Sequence, residues 1–296
     1  MSATSTSPVP LAAGLSPLAD RYDGFILDLW GVLHDGVRPY PGAVDALRRL
    51  KAAGKRTVIL SNGPRRAAAV ARRTAEIGIR PDLYDDLHSS GEETWQSLAA
   101  FSDPIYAAMV RRAFLIVPEN DRGLLAGLDL TITEDLADAG FILATGLAAA
   151  AETLADYEDV LAGGARLGRP MICANPDLEV VRGGVRELCA GALAQRYEAL
   201  GGPVHYHGKP YPAVYRRCFA LLAGIDAPRI LAVGDSLRTD IAGARRAGID
   251  SLLITGGIHA EELADAAGRH PDPQKLAAAC AGAGQRPTFA APAFVW

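Results

Sequence analysis

Short apolar runs that end in polar residues recur along this chain, and each is followed by a segment with helical spacing. The first run, Phe25-Ile26-Leu27, predicts a buried strand, with Asp28 standing where that strand should end. Gly31 releases the chain and Asp35-Gly36 is a tight-turn dipeptide, so residues 25–36 read as a strand, a loop and a small flap. Pro41 and Gly42 open a helical segment with apolar Val44, Leu47 and Leu50, which Gly54 closes. Thr57 to Leu60 predicts a second strand, ending in Ser61-Asn62-Gly63-Pro64, and an Ala- and Arg-rich helix runs on to Gly78. Strand, helix, strand, helix is the order of a doubly wound α/β domain with a parallel sheet.

Between residues 92 and 200 the order is less regular, with strand candidates at Phe114–Val117, Phe141–Ala144 and Pro170–Ala174 separated by Ala-rich helical stretches. These predict a second α/β unit. The first pattern then resumes: a helix from Lys209-Pro210 to about Ala223, a strand over Ile230–Val233 ending in Gly234-Asp235-Ser236, Asp240 opening a helix that Gly248 stops, and a strand over Leu252–Ile254. One α/β domain is therefore split by an insertion. Ser, Thr and Pro crowd residues 2–10 and predict a loose arm over residues 1–14. The tail from Gly268 to Trp296 is expected to wrap over the core's edge, anchored by Phe289, Phe294 and Trp296.

Composition narrows the partners. A chain of 296 residues suits two modest domains, and 49% hydrophobic with 22% charged residues is ordinary for a globular protein. A net charge of −4 without a sustained basic stripe argues against nucleic acid or an anionic membrane as partner. Cys173, Cys189, Cys218 and Cys280 are far apart with no CxxC pair, so they read as buried thiols in a reducing compartment rather than a zinc cluster or disulfide framework. The first twenty residues lack a signal-peptide pattern and no apolar run approaches the ~18 residues of a membrane helix, which makes a cytoplasmic location the expectation.

Asp28, Ser61, Lys209, Asp235 and Asp240 each fall at an expected strand end or helix start of the split domain, where an open parallel sheet collects its ligands. The carboxylates of Asp28 and Asp235 suit Mg²⁺, which takes oxygen ligands and keeps part of its water shell. The Ser61 hydroxyl and the N–H groups of Asn62 and Gly63, next to a helix start, suit phosphate oxygens, and Lys209 adds a positive charge. An Asp carboxylate in that company can attack phosphorus and form an aspartyl-phosphate that water hydrolyses. Taken singly, each residue also has a structural reading: Lys209 could start a helix, Ser61 could cap one and Asp240 could be an N-cap. His205 and His207 alternate and could share a face, but two ligands without a third acid or thiol nearby are weak support for a metal. A strand leading to Lys209 is the preferred role. No GxGxxG or GxxxxGK[ST] motif supports a dinucleotide or P-loop site.

Together, DLWGVLHDG, Ser61-Asn62, Lys209 and GDSLRTDIAGA resemble the four motifs of the haloacid dehalogenase superfamily, and their spacing covers nearly the whole chain. The insertion between the second and third motifs, with Ala174-Asn175-Pro176-Asp177, resembles the class IIA branch, which includes the NagD-like nucleotide and sugar phosphatases. The resemblance implies a Rossmann-like core over 15–89 and 204–296 and a C2-type α/β cap over 90–203. It implies Mg²⁺ bound by Asp28, Asp235 and the backbone carbonyl of Trp30, with Asp240 behind them. It also implies Asp28 as nucleophile, and Asn175 and Asp177 in the cap's half of the substrate site. The expected substrate is a small phosphorylated metabolite. Dimers formed through the cap are common in this branch, and a homodimer is expected.

One departure stands out. Phosphatases of this family carry a second Asp two residues after the nucleophile, which protonates the leaving oxygen and later activates water; here that position is Trp30. An indole donates one N–H but cannot titrate near neutral pH. His34 and Asp35 are candidates to replace the acid, although Asp35-Gly36 is explained by a turn and His34 by the flap's surface. The expected function is thus a phosphomonoester hydrolase with an impaired or unusual acid/base step. A phospholigand-binding protein with little turnover is the main alternative. A dehalogenase ranks below both, because the acidic fourth motif is kept.

Overall fold

The structure, a computed structural model, describes residues 8–102, 104–149, 151–265 and 271–296. The N-terminal part of the expected arm and Gly268, where the expected tail begins, lie outside them. By internal contacts the chain divides into two units: Met1–Ile59, Ile77–Asp86 and Cys218–Trp296 form one, and Leu60–Glu76 with Leu87–Arg217 form the other. The division falls within two strands, Arg56–Ser61 and Asp86–Ser89.

The first unit is organised by a six-stranded sheet in the order Phe289–Ala291, Asp250–Ile254, Ile230–Gly234, Gly24–Leu27, Arg56–Ser61, Asp86–Ser89. Its central pairings are parallel: Leu27 lies beside Val233 on one side and Ile59 on the other. Gly24–Leu27 and Ile230–Gly234 are buried at every residue, which is why they read as unbroken apolar runs rather than alternating ones. Helix Ala43–Ala52 buries Ala43, Ala46, Leu47 and Leu50, one stripe at i, i+3, i+4 and i+7. Val44, expected on that stripe, points about 110° away from its centre and is only partly buried.

The tail is more regular than its composition suggests. Asp272 accepts hydrogen bonds from the Gln274 and Lys275 N–H groups and starts a helix over Pro273–Ala283, closed by Gly284 in the left-handed conformation. Phe289–Ala291 then adds an edge strand parallel to Asp250–Ile254. Phe294 is buried, while Phe289 and Trp296 are half-buried. Residues 10–12 of the arm are not loose. Ala290 N–H donates to Pro10 C=O and Ala12 N–H donates to Ala290 C=O, so the free edge of the last strand holds them.

The second unit carries its own parallel sheet, ordered Val204–Tyr206, Met171–Cys173, Phe141–Ala144, Arg112–Ile116, Thr131–Thr133. Alternation along Phe141–Ala144 sends Phe141 and Leu143 to one face, with Leu98, Tyr106, Leu124 and Ile172, and sends Ile142 and Ala144 to the other, with Leu161, Met171, Leu193 and Tyr197. Both faces are covered, so the strand has no polar side. A separate antiparallel hairpin pairs Glu179–Arg182 with Val185–Leu188 around Gly183-Gly184, both at positive φ as a two-residue turn requires. The four cysteines are buried free thiols. Among the described residues no helix is long and apolar enough to cross a membrane.

Candidate active site

Strand order in the six-stranded sheet runs one way from Gly24–Leu27 to Arg56–Ser61 and the other way to Ile230–Gly234, and the carboxyl ends of the strands flanking such a reversal form the usual ligand crevice. Those ends deliver Asp28 and Asp235. The Asp28 N–H donates to Val233 C=O at 2.8 Å, which extends the pairing by one residue and brings Asp28 beside Gly234-Asp235. Asp240 comes from the wide helical turn Leu237–Ile241 that follows. Its alternative reading as an N-cap gives way to Ser236, whose hydroxyl accepts from the Thr239 N–H.

One oxygen each from Asp28, Asp235 and Asp240 lies within 4.8 Å of the others, the one such group of potential metal ligands found among the described residues. All three are nearly buried, at 9%, 6% and 4% exposure. Backbone N–H groups orient them: Leu29 donates to Asp28 Oδ1 at 2.6 Å, Ile258 to Asp235 Oδ2 at 2.7 Å and Ser236 to Asp240 Oδ2 at 3.1 Å. Like charges this close disfavour one another strongly in a water-poor site. An all-oxygen donor set of this kind fits a hard divalent cation.

Glycines clear the space around these carboxylates. A Cβ on Gly31, whose φ is +73°, would stand 1.7 Å from Asp235 Oδ2; one on Gly257 would stand 2.2 Å from the same oxygen, and one on Gly234 2.0 Å from Asp240 Cγ. Gly31, read from the sequence as a chain release, also makes this room; Gly257 and Ile258 belong to no motif the sequence displays, although the Gly256-Gly257 pair just beyond a buried strand is a visible signal, and Tyr40 likewise carries no motif. Burial, then the charges of Asp235 and Asp35, push that phenol above its ordinary range.

Trp30 and His34 fill the flap. Their rings meet edge to face at 4.9 Å, and a Cβ on Gly36 would come within 2.3 Å of the indole, so Trp30 rests directly on the Gly36 backbone. Asp35 accepts the Val37 and Arg38 N–H groups at 2.9 and 2.8 Å, the turn role read from the sequence. His34 is not on the flap's surface: it is 3% exposed, because its Nδ1 turns inward to accept the Gly36 N–H at 2.8 Å. The neutral ring then carries its proton on Nε2.

The remaining sequence-predicted residues gather in the second unit. Ser61 and Asn62 are buried, and Ser61 Oγ accepts the Gly63 N–H at 3.0 Å, which folds the chain into a turn ahead of helix Ala67–Glu76. The Asn62 side chain joins two distant segments. Its Oδ1 accepts the Lys209 N–H at 2.7 Å, and its Nδ2 donates to Lys209 C=O at 3.2 Å and Asp177 Oδ1 at 2.9 Å. Asn175 Oδ1 in turn accepts the Asp177 N–H at 3.1 Å. Lys209 precedes helix Pro212–Leu221 rather than starting it. His205 and His207 share a face as expected, with rings 4.9 Å apart, and pack around Tyr106.

The doubly wound parallel core and the acidic cluster at its strand-order reversal define a class, and comparison with known proteins names it. A haloacid dehalogenase-like hydrolase model matches residues 25–131 and a second, HAD hydrolase-like model matches residues 206–278. The chain belongs to the haloacid dehalogenase-like hydrolases, in their NagD-like branch, and is a hydrolase of the phosphatase type. It is 31% identical to chronophin of Bos taurus over 87% of this chain and 90% of that protein. With the ribonucleotide monophosphatase NagD of Escherichia coli (strain K12) it shares 28% identity over 79% of this chain and 87% of that protein. Among solved structures, a haloacid dehalogenase-like family hydrolase from Brucella suis 1330 aligns with a TM-score of 0.83 and 33% identity, over 96% of this chain and all of that one.

Proposed function

We propose that this protein is a Mg²⁺-dependent phosphomonoester hydrolase acting on a small phosphorylated metabolite, a sugar phosphate or a nucleotide. The observation that carries the reading is the buried trio Asp28, Asp235 and Asp240, with ligand oxygens within 4.8 Å of one another. Asp28, Asp235 and the Trp30 carbonyl would hold the cation, with Asp240 steadying the Ser236 turn behind them. When bound, the cation offsets negative charge on the phosphoryl oxygens. Asp28 attacks phosphorus, forming its own Oδ–P bond as the P–O bond to the leaving group breaks and the leaving oxygen takes a proton. Water then attacks phosphorus, releasing phosphate and restoring the carboxylate. Ser61, the Asn62 N–H, the Gly63 N–H as it exchanges Ser61 Oγ for the ligand, and Lys209 bind phosphate oxygens, and Asn175 and Asp177 contact the rest of the substrate. The likeness to NagD, a ribonucleotide monophosphatase, supports a small phosphorylated substrate. The domain limits 15–89 with 204–296 and 90–203, a homodimer and a cytoplasmic location belong to the same proposal.

Trp30 favours a second reading, a phospholigand-binding protein with little turnover, because an indole resting on Gly36 supplies no titrating group where the family holds its acid. An array of phosphorylated metabolites assayed with Mg²⁺ for phosphate release, with binding measured on the same compounds, separates the two. Release supports the hydrolase. Tight binding without release supports the binder, and neither release nor binding overturns both.

A further inference from the structure

The turn that presents Lys209 is fixed on both sides. Gly208 has φ +112°, and a Cβ there would stand 2.6 Å from Asn62 Oδ1 and 2.9 Å from both Pro176 Cδ and Ser90 Oγ. On the Lys209 side, Asn62 holds the N–H and the C=O of that residue. On the other side the partners come from helix Ser90–Ala100, more than a hundred residues earlier in the chain. The Ser90 hydroxyl donates to His207 C=O at 2.5 Å, and Glu93 Oε2 accepts the Gly208 N–H at 3.1 Å.

Glu93 is an unusual group to find there. Its side chain is 12% exposed, and its Oε2 also lies 3.5 Å from His207 Nδ1. His207 Nε2 meets the Tyr106 hydroxyl in a short hydrogen bond. With Tyr106 donating to Nε2, the neutral ring carries its proton on Nδ1, facing the carboxylate. A carboxylate kept from water needs such donors, and removing it would leave the Gly208 N–H without its acceptor.

We infer that Glu93 is a positioning residue for Lys209: by holding the Gly208 N–H and the His207 ring, it sets the turn from which the ammonium group reaches an anionic ligand. The inference rests on the reading of Lys209 as a phosphate-binding residue. Glu93 itself touches no substrate in this account. Its contribution passes through the main chain, so it depends on an acceptor oxygen at that place rather than on the negative charge.

The test is calorimetric titration of the full-length protein with inorganic phosphate at saturating Mg²⁺, with every variant first shown to be folded by circular dichroism. Lys209→Ala should weaken phosphate about 30-fold, the size expected for losing a charged hydrogen bond. Glu93→Ala should weaken it about tenfold, and Glu93→Gln, which keeps an acceptor oxygen, should stay within about twofold of the wild type. The double variant Glu93→Ala/Lys209→Ala should bind no worse than Lys209→Ala alone, since both act through one group. Ser90→Ala, which releases the other end of the turn, should show a smaller loss that also vanishes in the Lys209→Ala background, and it decides the matter if Glu93→Ala does not fold. Unchanged affinity in Lys209→Ala would overturn the functional reading. A strong loss in Lys209→Ala with none in Glu93→Ala or Ser90→Ala, or losses that add fully in the double variants, would overturn the positioning role alone.

Discussion

The carboxylate cluster of the first unit and the Lys209 turn of the second solve the same problem by different means. Asp28 and Asp235 stand at the ends of adjacent buried strands, oriented by local N–H groups and given room by Gly31, Gly234 and Gly257. The sheet does the positioning there. Lys209 has no strand to stand on, and its turn is tied by the side chains of Asn62, Ser90 and Glu93. Precision built into a sheet resists single side-chain changes but not an added Cβ. Precision built from tethers should be lost stepwise, one hydrogen bond at a time.

The largest expected effects come from the glycines. Gly31→Ala places a methyl where Asp235 Oδ2 now lies and strains a backbone at φ +73°, so Mg²⁺ binding by calorimetry should fall at least about 100-fold. Gly208→Ala should be comparably severe for phosphate binding, since its Cβ meets three neighbours at once. Were Gly208→Ala much milder than the loss of a single tether, the turn would not be fixed as described.

Trp30→Asp comes next. Restoring a titrating carboxyl where the family keeps its acid should raise phosphate release about 10²-fold on a substrate that binds. Because the indole fills the space over Gly36 and against His34, the exchange should also cost about 3 kcal/mol of stability by urea titration. Rates are therefore compared only on folded protein, and Asp28→Asn in that background should abolish the gain. No rise in a folded, ligand-binding variant would place the slow step elsewhere.

Smaller effects separate the units by pH. His88, in the second unit, is 3% exposed; burial first, with Arg217 adding and Glu93 and Glu92 opposing, lowers its basicity below the ordinary 6.5. A lowered folded value means that stability is present above pH 6.5 and lost as pH falls below it, as the unfolded chain takes up the proton first. Amide protection factors around His88, which remove the intrinsic pH dependence of exchange, should fall between pH 7 and 5, and His88→Gln should flatten the change. In the first unit, hydrogen bonds from Arg229, then Lys55, hold Asp23 at about 2 against an ordinary 3.8. That contribution is complete above about pH 4 and disappears towards pH 2. The pair is exposed, so Asp23→Asn should move the acid midpoint only slightly.

What the sequence revealed follows the same division. Strands buried on both faces, such as Phe25–Leu27, Phe141–Ala144 and Ile230–Val233, showed as continuous apolar runs with polar residues at their ends, so the parallel core and the positions of Asp28 and Asp235 were legible. The Gly183-Gly184 hairpin and the helix over Pro273–Ala283 were missed, the first for its short strands and the second for an Ala-rich composition that gives little periodic contrast. His34 was misplaced because its burial comes from a ring turned under the flap, which no residue spacing announces. Glu93 left no trace, since its acceptor role exists only once helix Ser90–Ala100 meets a turn 115 residues away in sequence.

The proposed chemistry depends on the buried aspartates forming a cation site. Titrating Mg²⁺ calorimetrically into the full-length protein and into folded Asp235→Asn tests it most directly, because the amide keeps the shape and removes one charge and one strong ligand. The wild type should bind Mg²⁺ saturably and the variant at least about 30-fold more weakly. Equal affinity in the two proteins would contradict it.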